Sequence, residues 1–134
     1  FTLLKKNDVK TLVDIRLNNT SQLSGFSKYP DIEFFLNQLC NIKYIYDENL
    51  APTEELMSNY KKKNITWDEY EKTFNQILDE RNKENQIINK YKGIVDGMCL
   101  LCSEAKSDNC HRRLVAEYIK EHLKDIYDIE IVHL

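Results

Sequence analysis

Asp14 and Arg16 stand two positions apart in the run Val13-Asp14-Ile15-Arg16. Side chains two apart on an extended chain share a face, so this pair projects together while Ile15 turns away. A guanidinium beside a carboxylate can do one of two things. It can lock the following loop as a structural ion pair, or it can present an oriented fork to an anionic substrate group. The same parity brings Cys102 and Glu104 together at the end of the apolar run MCLLC. A carboxylate leaving such a run at a sheet edge is partly desolvated, which is what a general base or nucleophile requires. The alternative for Glu104 is an ordinary solvated loop position.

A third group is Asn109-Cys110-His111-Arg112-Arg113. Ser107, Asp108 and Asn109 offer N-caps, so these residues open a helix, where unpaired N–H groups and the dipole favour an anion. Basic side chains in a first helical turn work against the helix itself, and such local conflicts tend to mark function. His111 and Arg112 are therefore candidate anion ligands. Cys110, whose thiolate such a setting favours, is a candidate nucleophile, with a small buried residue as the alternative. His133 falls at the end of the closing apolar segment; if that segment is a parallel strand, His133 reaches the same edge. Cys99 and Cys102 together with Cys110 and His111 count as four zinc ligands on paper. Residues three apart on a strand point to opposite faces, however, so no metal site is expected. Cys40 continues the apolar side of its helix. Lys61, Lys62 and Lys63 suit a solvated helix end, and Trp67, Tyr70 and Phe74 suit a core better than a base-stacking platform.

Positioning these groups requires strands that end beside helices. Phe1 to Asn7 reads as the tail of a helix, Val9 to Arg16 as a buried strand, and Asn18 to Lys28 as a loop. After Pro30, the residues Ile32, Phe35, Leu36 and Leu39 recur at the spacing of an amphipathic helix. Ile42 to Tyr46 alternates like a strand. Pro52-Thr53 opens a short helix carrying Leu56, Met57 and Tyr60. Thr66 and Glu69 form a capping-box pattern ahead of a long helix expected to run to about Lys90. Met98 to Cys102, apolar on both faces, is expected at the centre of a parallel sheet. Leu114, Val115, Tyr118, Ile119 and Leu123 give the last helix its inner face, and Ile129 to His133 reads as a closing strand. Strand alternating with helix predicts one α/β domain over residues 1–134, with a mainly parallel sheet and helices on both faces. Ligands in such sheets collect beyond the carboxyl ends of the strands.

Composition sets the outer limits. The chain has 134 residues, 42% hydrophobic and 31% charged, with a net charge of -3. Those are globular proportions, sufficient for one ordinary core. Mild acidity disfavours a dedicated nucleic-acid binder. No run approaches the ~20 apolar residues of a membrane span. Four cysteines in a chain of this length do not make a disulfide scaffold.

The pieces together resemble a known family, the domain of unknown function 488. The resemblance rests on V-D-I-R at Val13 to Arg16, the stretch from Ser21 to Lys28, and Tyr44/Tyr46 followed by Leu50-Ala51-Pro52. Trp67/Tyr70, Leu100 to Glu104, C-H-R-R from Cys110 and the terminal V-H-L complete it. It implies a Rossmann-like three-layer fold, a prokaryotic cytoplasmic protein, and a further strand ahead of Phe1. It adds Ser27, Lys28 and Tyr46 to the ligand-binding set, and supplies neither a reaction nor a cofactor. The expected function is an anion or nucleotide site at the carboxyl edge of the sheet, with hydrolase- or transferase-like chemistry. Arg16, His111 and Arg112 would hold a phosphate or carboxylate and Glu104 would act as base or nucleophile. Asp14 would orient Arg16, and Cys102 or Cys110 would be the reactive thiol. The alternative is a non-catalytic module that senses a ligand, or contacts protein or nucleic acid, through the same pocket.

Overall fold

The computed structural model describes residues 4, 6–16, 30–83, 86–102 and 111–132. Among them, three strands form one parallel sheet in the order β2-β1-β3: β1 (Thr11–Asp14), β2 (Lys43–Tyr46) and β3 (Met98–Leu101). Val13 lies level with Ile45 on one side and Leu100 on the other. Parallel neighbours need crossover connections, and helical segments supply them. Between β1 and β2 lies α1 (Asp31–Phe35), continued by a π-helical turn, Leu36–Cys40. A 3-10 turn (Glu48–Leu50), α2 (Glu54–Lys61), α3 (Trp67–Arg81) and α4 (Gln86–Tyr91) separate β2 from β3. After β3 comes α5 (His111–Leu123).

Strand alternation divides the core. Val13, Ile15 and Cys102 face a large cluster built from Tyr70, Phe74 and Leu78 of α3, Ile87 and Tyr91 of α4, and the inner face of α5. Leu12 and Tyr44 face the other way, against Ile32 and Leu36. Among the described residues the sheet is thus sandwiched between a thick helical layer and a thinner one that includes α1 and Leu4. The expected α/β class, with a parallel sheet and helices on both faces, is what the chain adopts. Tyr70 and Phe74 are core, and Trp67 packs against them.

The N-terminus of α3 follows from its sequence. Thr66 Oγ1 accepts from Glu69 N at 3.2 Å while Glu69 Oε1 accepts from Thr66 N at 3.1 Å, the reciprocal capping box. Gly97 also has a definite task. Its φ of 76° would strain any residue with a side chain, a Cβ there would crowd the Lys10 side chain at 3.1 Å, and its carbonyl accepts from Lys10 N and Thr11 N as β3 begins.

Four expectations require correction. The long helix does not reach Lys90. It stops at Arg81, where the Asn82 side chain donates to the Leu78 carbonyl at 2.9 Å, an Asn alternative to further helix. Leu39 is not on the buried stripe but 58% exposed, because the π-helical winding of Leu36–Cys40 rotates it off the face set by Ile32 and Leu36. β3 is not central. β1 holds that place, and β3 lies at an edge of the described sheet with its four residues half-buried. Apolar character on both faces reports the layers above and below a strand, not its lateral neighbours. Finally, residues 129–132 are not in strand conformation, although Ile129 still packs against the main core.

Candidate functional site

The carboxyl end of β1 carries a buried polar network. Asp14, wholly buried, accepts from Arg16 through both prongs, Nε to Oδ1 at 2.9 Å and Nη2 to Oδ2 at 2.8 Å. It also accepts from the Arg16 backbone N–H at 3.1 Å and from the Tyr44 hydroxyl at 2.5 Å. Arg16 is itself only 4% exposed. Strand parity makes this assembly possible: Asp14 sits level with Tyr46, and Leu12 with Tyr44, on the face turned toward α1. Burial alone would make the guanidinium easier to deprotonate, but the adjoining carboxylate outweighs it and holds Arg16 more firmly charged than usual. Tyr46 closes the network by donating to the Arg16 carbonyl at 3.0 Å.

His111, at the start of α5, approaches the same strand end from the opposite layer. Its Nε2 lies 3.0 Å from the Ile15 carbonyl, and its ring stands edge-on to Phe74 with centroids 5.8 Å apart. A carbonyl can only accept, so Nε2 carries a proton. His111 thereby ties α5 to the residue between Asp14 and Arg16.

The neighbouring arginines diverge. Arg113 pairs with Glu117 at 3.0 Å and with Glu71 at 3.5 Å, as a helix-surface cation does. Arg112 lines a separate groove, along the outer edge of β3, together with Cys99. Cys102 is 7% exposed and belongs to the large core cluster, on the sheet face opposite Asp14. The structure therefore brings Asp14, Arg16, Tyr46 and His111 together around the end of β1, and directs Arg112 and Cys102 elsewhere. Ser27, Lys28, Glu104, Cys110 and His133 lie outside the described residues. Among the described residues no cluster of His, Cys, Asp or Glu has the makings of a metal site.

Two participants were not singled out from sequence. Tyr44 supplies the hydroxyl that completes the Asp14 shell. The signal for it is that a tyrosine on a buried strand face needs a polar partner. Asp47, just beyond β2, is 3% exposed. It accepts from Asn49 N, from the Tyr91 hydroxyl and from Lys90 Nζ, while its own N–H donates to the Asp14 carbonyl. That set joins α4 to the same sheet edge.

These tyrosines give the protein a defined alkaline limit. Burial, then the Asp47 carboxylate, pushes the Tyr91 phenol far above its ordinary range. Burial and Asp79 do the same for Tyr118, whose hydroxyl donates to Asp79 at 2.8 Å. Tyr46 is raised by burial and by the charges of Glu48 and Asp14. Each group holds its proton more tightly folded than unfolded. Its contribution is therefore complete below the ordinary value near pH 10 and is lost as pH rises through the higher folded value. Urea midpoints are expected to fall steeply above about pH 10, and Tyr91→Phe should flatten that fall. An unchanged alkaline slope in the variant would contradict this account.

No helix of the described residues is long and apolar enough to cross a membrane. Searches of the curated proteins and of the solved structures give no match. The strand-end residues Asp14 and Arg16, the tyrosines of β2 and the histidine opening α5 all fall within residues 1–119, the stretch matched by the family model described as Domain of unknown function DUF488, and the chain belongs to that family.

Proposed function

We propose that the carboxyl edge of the sheet binds a small anionic, phosphate-bearing ligand, with hydrolase- or transferase-like chemistry as the reaction its residues would serve. The observation that carries this reading is the buried Asp14–Arg16 pair at the end of the central strand, with His111 anchored one residue away. A buried ion pair is a poor way to gain stability, since desolvation consumes most of its attraction. Its location is where parallel sheets bind ligands, and the first turn of α5 adds a positive dipole end. In this reading Arg16 and His111 contact the anion and Asp14 orients Arg16. Ser27, Lys28, Tyr46 and His133 complete the binding shell, Glu104 is base or nucleophile, and Cys110 is the reactive thiol, while Arg112, beside Cys99, and Cys102, in the core, take no part. The setting proposed is a prokaryotic cytoplasm, with a small ligand rather than a membrane or nucleic acid as partner.

A second reading has its own support. Both prongs of Arg16 are engaged by Asp14, and His111 Nε2 by a backbone carbonyl, so these groups already hold structure. That favours a non-catalytic ligand-sensing or interaction module. Calorimetric titration of phosphate, pyrophosphate and nucleotides into wild type, His111→Ala and Lys28→Ala tests the site. The expected result is binding in the millimolar-to-micromolar range, roughly 4–8 kcal/mol, weakened in the variants. Equal binding by all three proteins, or none by any, removes the anion site. Glu104→Gln then separates the readings: lost turnover with retained binding supports an enzyme, and no turnover in wild type supports the module.

A further inference from the structure

Two carboxylate–cation pairs stand at neighbouring strand ends, Asp14 with Arg16 beyond β1 and Asp47 with Lys90 beyond β2. Asp47 N–H donates to the Asp14 carbonyl at 3.0 Å, so the ladder continues past Tyr46 and sets Asp47 level with Ile15. Alternation turns its side chain away from the Asp14 face, toward Tyr91 and the layer from which His111 approaches. There Oδ1 accepts from Asn49 N at 3.0 Å, while Oδ2 accepts from the Tyr91 hydroxyl and from Lys90 Nζ at 2.8 Å. Lys90 Nζ also lies 5.8 Å from the centre of the Tyr91 ring. The turn after Asp47 is braced by Arg81, whose Nη1 donates to the Ala51 carbonyl at 2.6 Å and to the Glu48 carbonyl at 3.2 Å.

The two cations differ in what a ligand could reach. The Arg16 side chain is 5% exposed and engages Asp14 through Nε and Nη2. Lys90 is held by an equally buried carboxylate, yet its own side chain is 45% exposed. An ammonium has three donors, and Asp47 takes one of them. Lys90 is thus a positioned cation with access to solvent, one strand over from the end of β1. We propose that Lys90 is a second anion contact of the carboxyl edge, and that the ligand carries two linked anionic groups, as a diphosphate does. This rests on the anion-site reading: His111 and the first turn of α5 receive one group at the end of β1, and Lys90 receives the other at the end of β2. Neighbouring strands stand about 4.8 Å apart, a step that two linked phosphoryl groups span. Asp47 is then a positioning residue, which fixes Lys90 without touching the ligand.

Phosphate and pyrophosphate are the probes, titrated into wild type, Lys90→Gln and Lys90→Arg. Glutamine keeps a donor for Asp47 without the charge, and arginine keeps both. Wild type is expected to bind pyrophosphate about tenfold more tightly than phosphate. Lys90→Gln should bind phosphate as before and lose most of that preference, and Lys90→Arg should retain it. Acetylation of the unaltered protein, mapped by mass, gives a readout that a purely structural lysine would not move: pyrophosphate should protect Lys90 more than phosphate does. Failure to bind either anion would remove the site itself, and this contact with it. Three results would overturn the second contact alone, with phosphate still bound. They are a wild type without preference, a preference that survives Lys90→Gln, and no protection of Lys90 at saturating pyrophosphate. Equal loss of both affinities in Lys90→Gln, together with a lower urea midpoint, would also overturn it and leave Lys90 as a structural partner of Asp47.

Discussion

Asp14→Ala is expected to destabilise the protein by roughly 3–5 kcal/mol, the cost of leaving one partner of a buried ion pair unpaired. Arg16, 4% exposed, would lose the acceptor of two side-chain hydrogen bonds and would remain charged in a site closed to water. Tyr44 would lose its acceptor as well, adding the penalty of a buried hydroxyl left without its bond. The asymmetry between single and double replacement makes the test sharp. Asp14→Leu combined with Arg16→Met removes both charges and keeps the volume, so it should cost much less than either single change. Chemical denaturation of wild type, Asp14→Ala, Arg16→Met and the double variant, compared at equal slope, measures this directly. A loss below about 1 kcal/mol for Asp14→Ala would mean that the pair behaves like a surface salt bridge and that its burial has been misjudged.

A comparable loss, about 3–5 kcal/mol, is expected for Phe74→Ala. Phe74 is fully buried in the main core, where α3 meets α5. Its ring stands 5.8 Å from His111 on α5 and 6.0 Å from Tyr70, which stacks on Trp67 at 4.9 Å. Truncation therefore opens a cavity and also removes the aromatic contact to the His111 ring. The expected consequence beyond stability is a less constrained imidazole, seen as broadened ring resonances in the variant. Phe74→Leu, which restores most of the volume without the aromatic edge, should recover much of the stability but not the ring order. Trp67 is the chain's single tryptophan, so its fluorescence follows unfolding in every variant. Stability recovered with equal ring order in Phe74→Leu would show that the edge-on contact does not fix His111.

Much of this architecture was legible from local patterns, because local rules are short-ranged. The capping box of Thr66 and Glu69 needs only four consecutive residues, and it formed as read. The parity of Asp14 and Arg16 needs only an extended backbone, and the two side chains meet as that geometry requires. Burial of Tyr70, Phe74 and Leu78 follows from helical spacing on one face. Expectations failed where a local pattern had more than one physical continuation. Residues beyond Arg81 are compatible with helix by propensity, but a side-chain bond from Asn82 ended it. Leu39 matched the helical stripe until one wider turn rotated it outward.

What the sequence determined by itself was the class of the fold and the meeting of Asp14 with Arg16 at the end of β1. Both depend on residue types and on periods of two and 3.6, which are properties of the chain alone. What only the tertiary structure decided was lateral order and company. Whether β3 lies inside or at the edge depends on which strands pair beside it, and no residue of MCLLC encodes that. The partners Tyr44 and Asp14 are 30 positions apart, and His111 and Ile15 are 96 apart. Such contacts arise when separate elements close on one another, so their identity is fixed by packing rather than by spacing. Arg112 makes the same point within a single helix. It follows His111 directly, yet the turn of about 100° per residue sends it to the groove beside Cys99 and away from the end of β1.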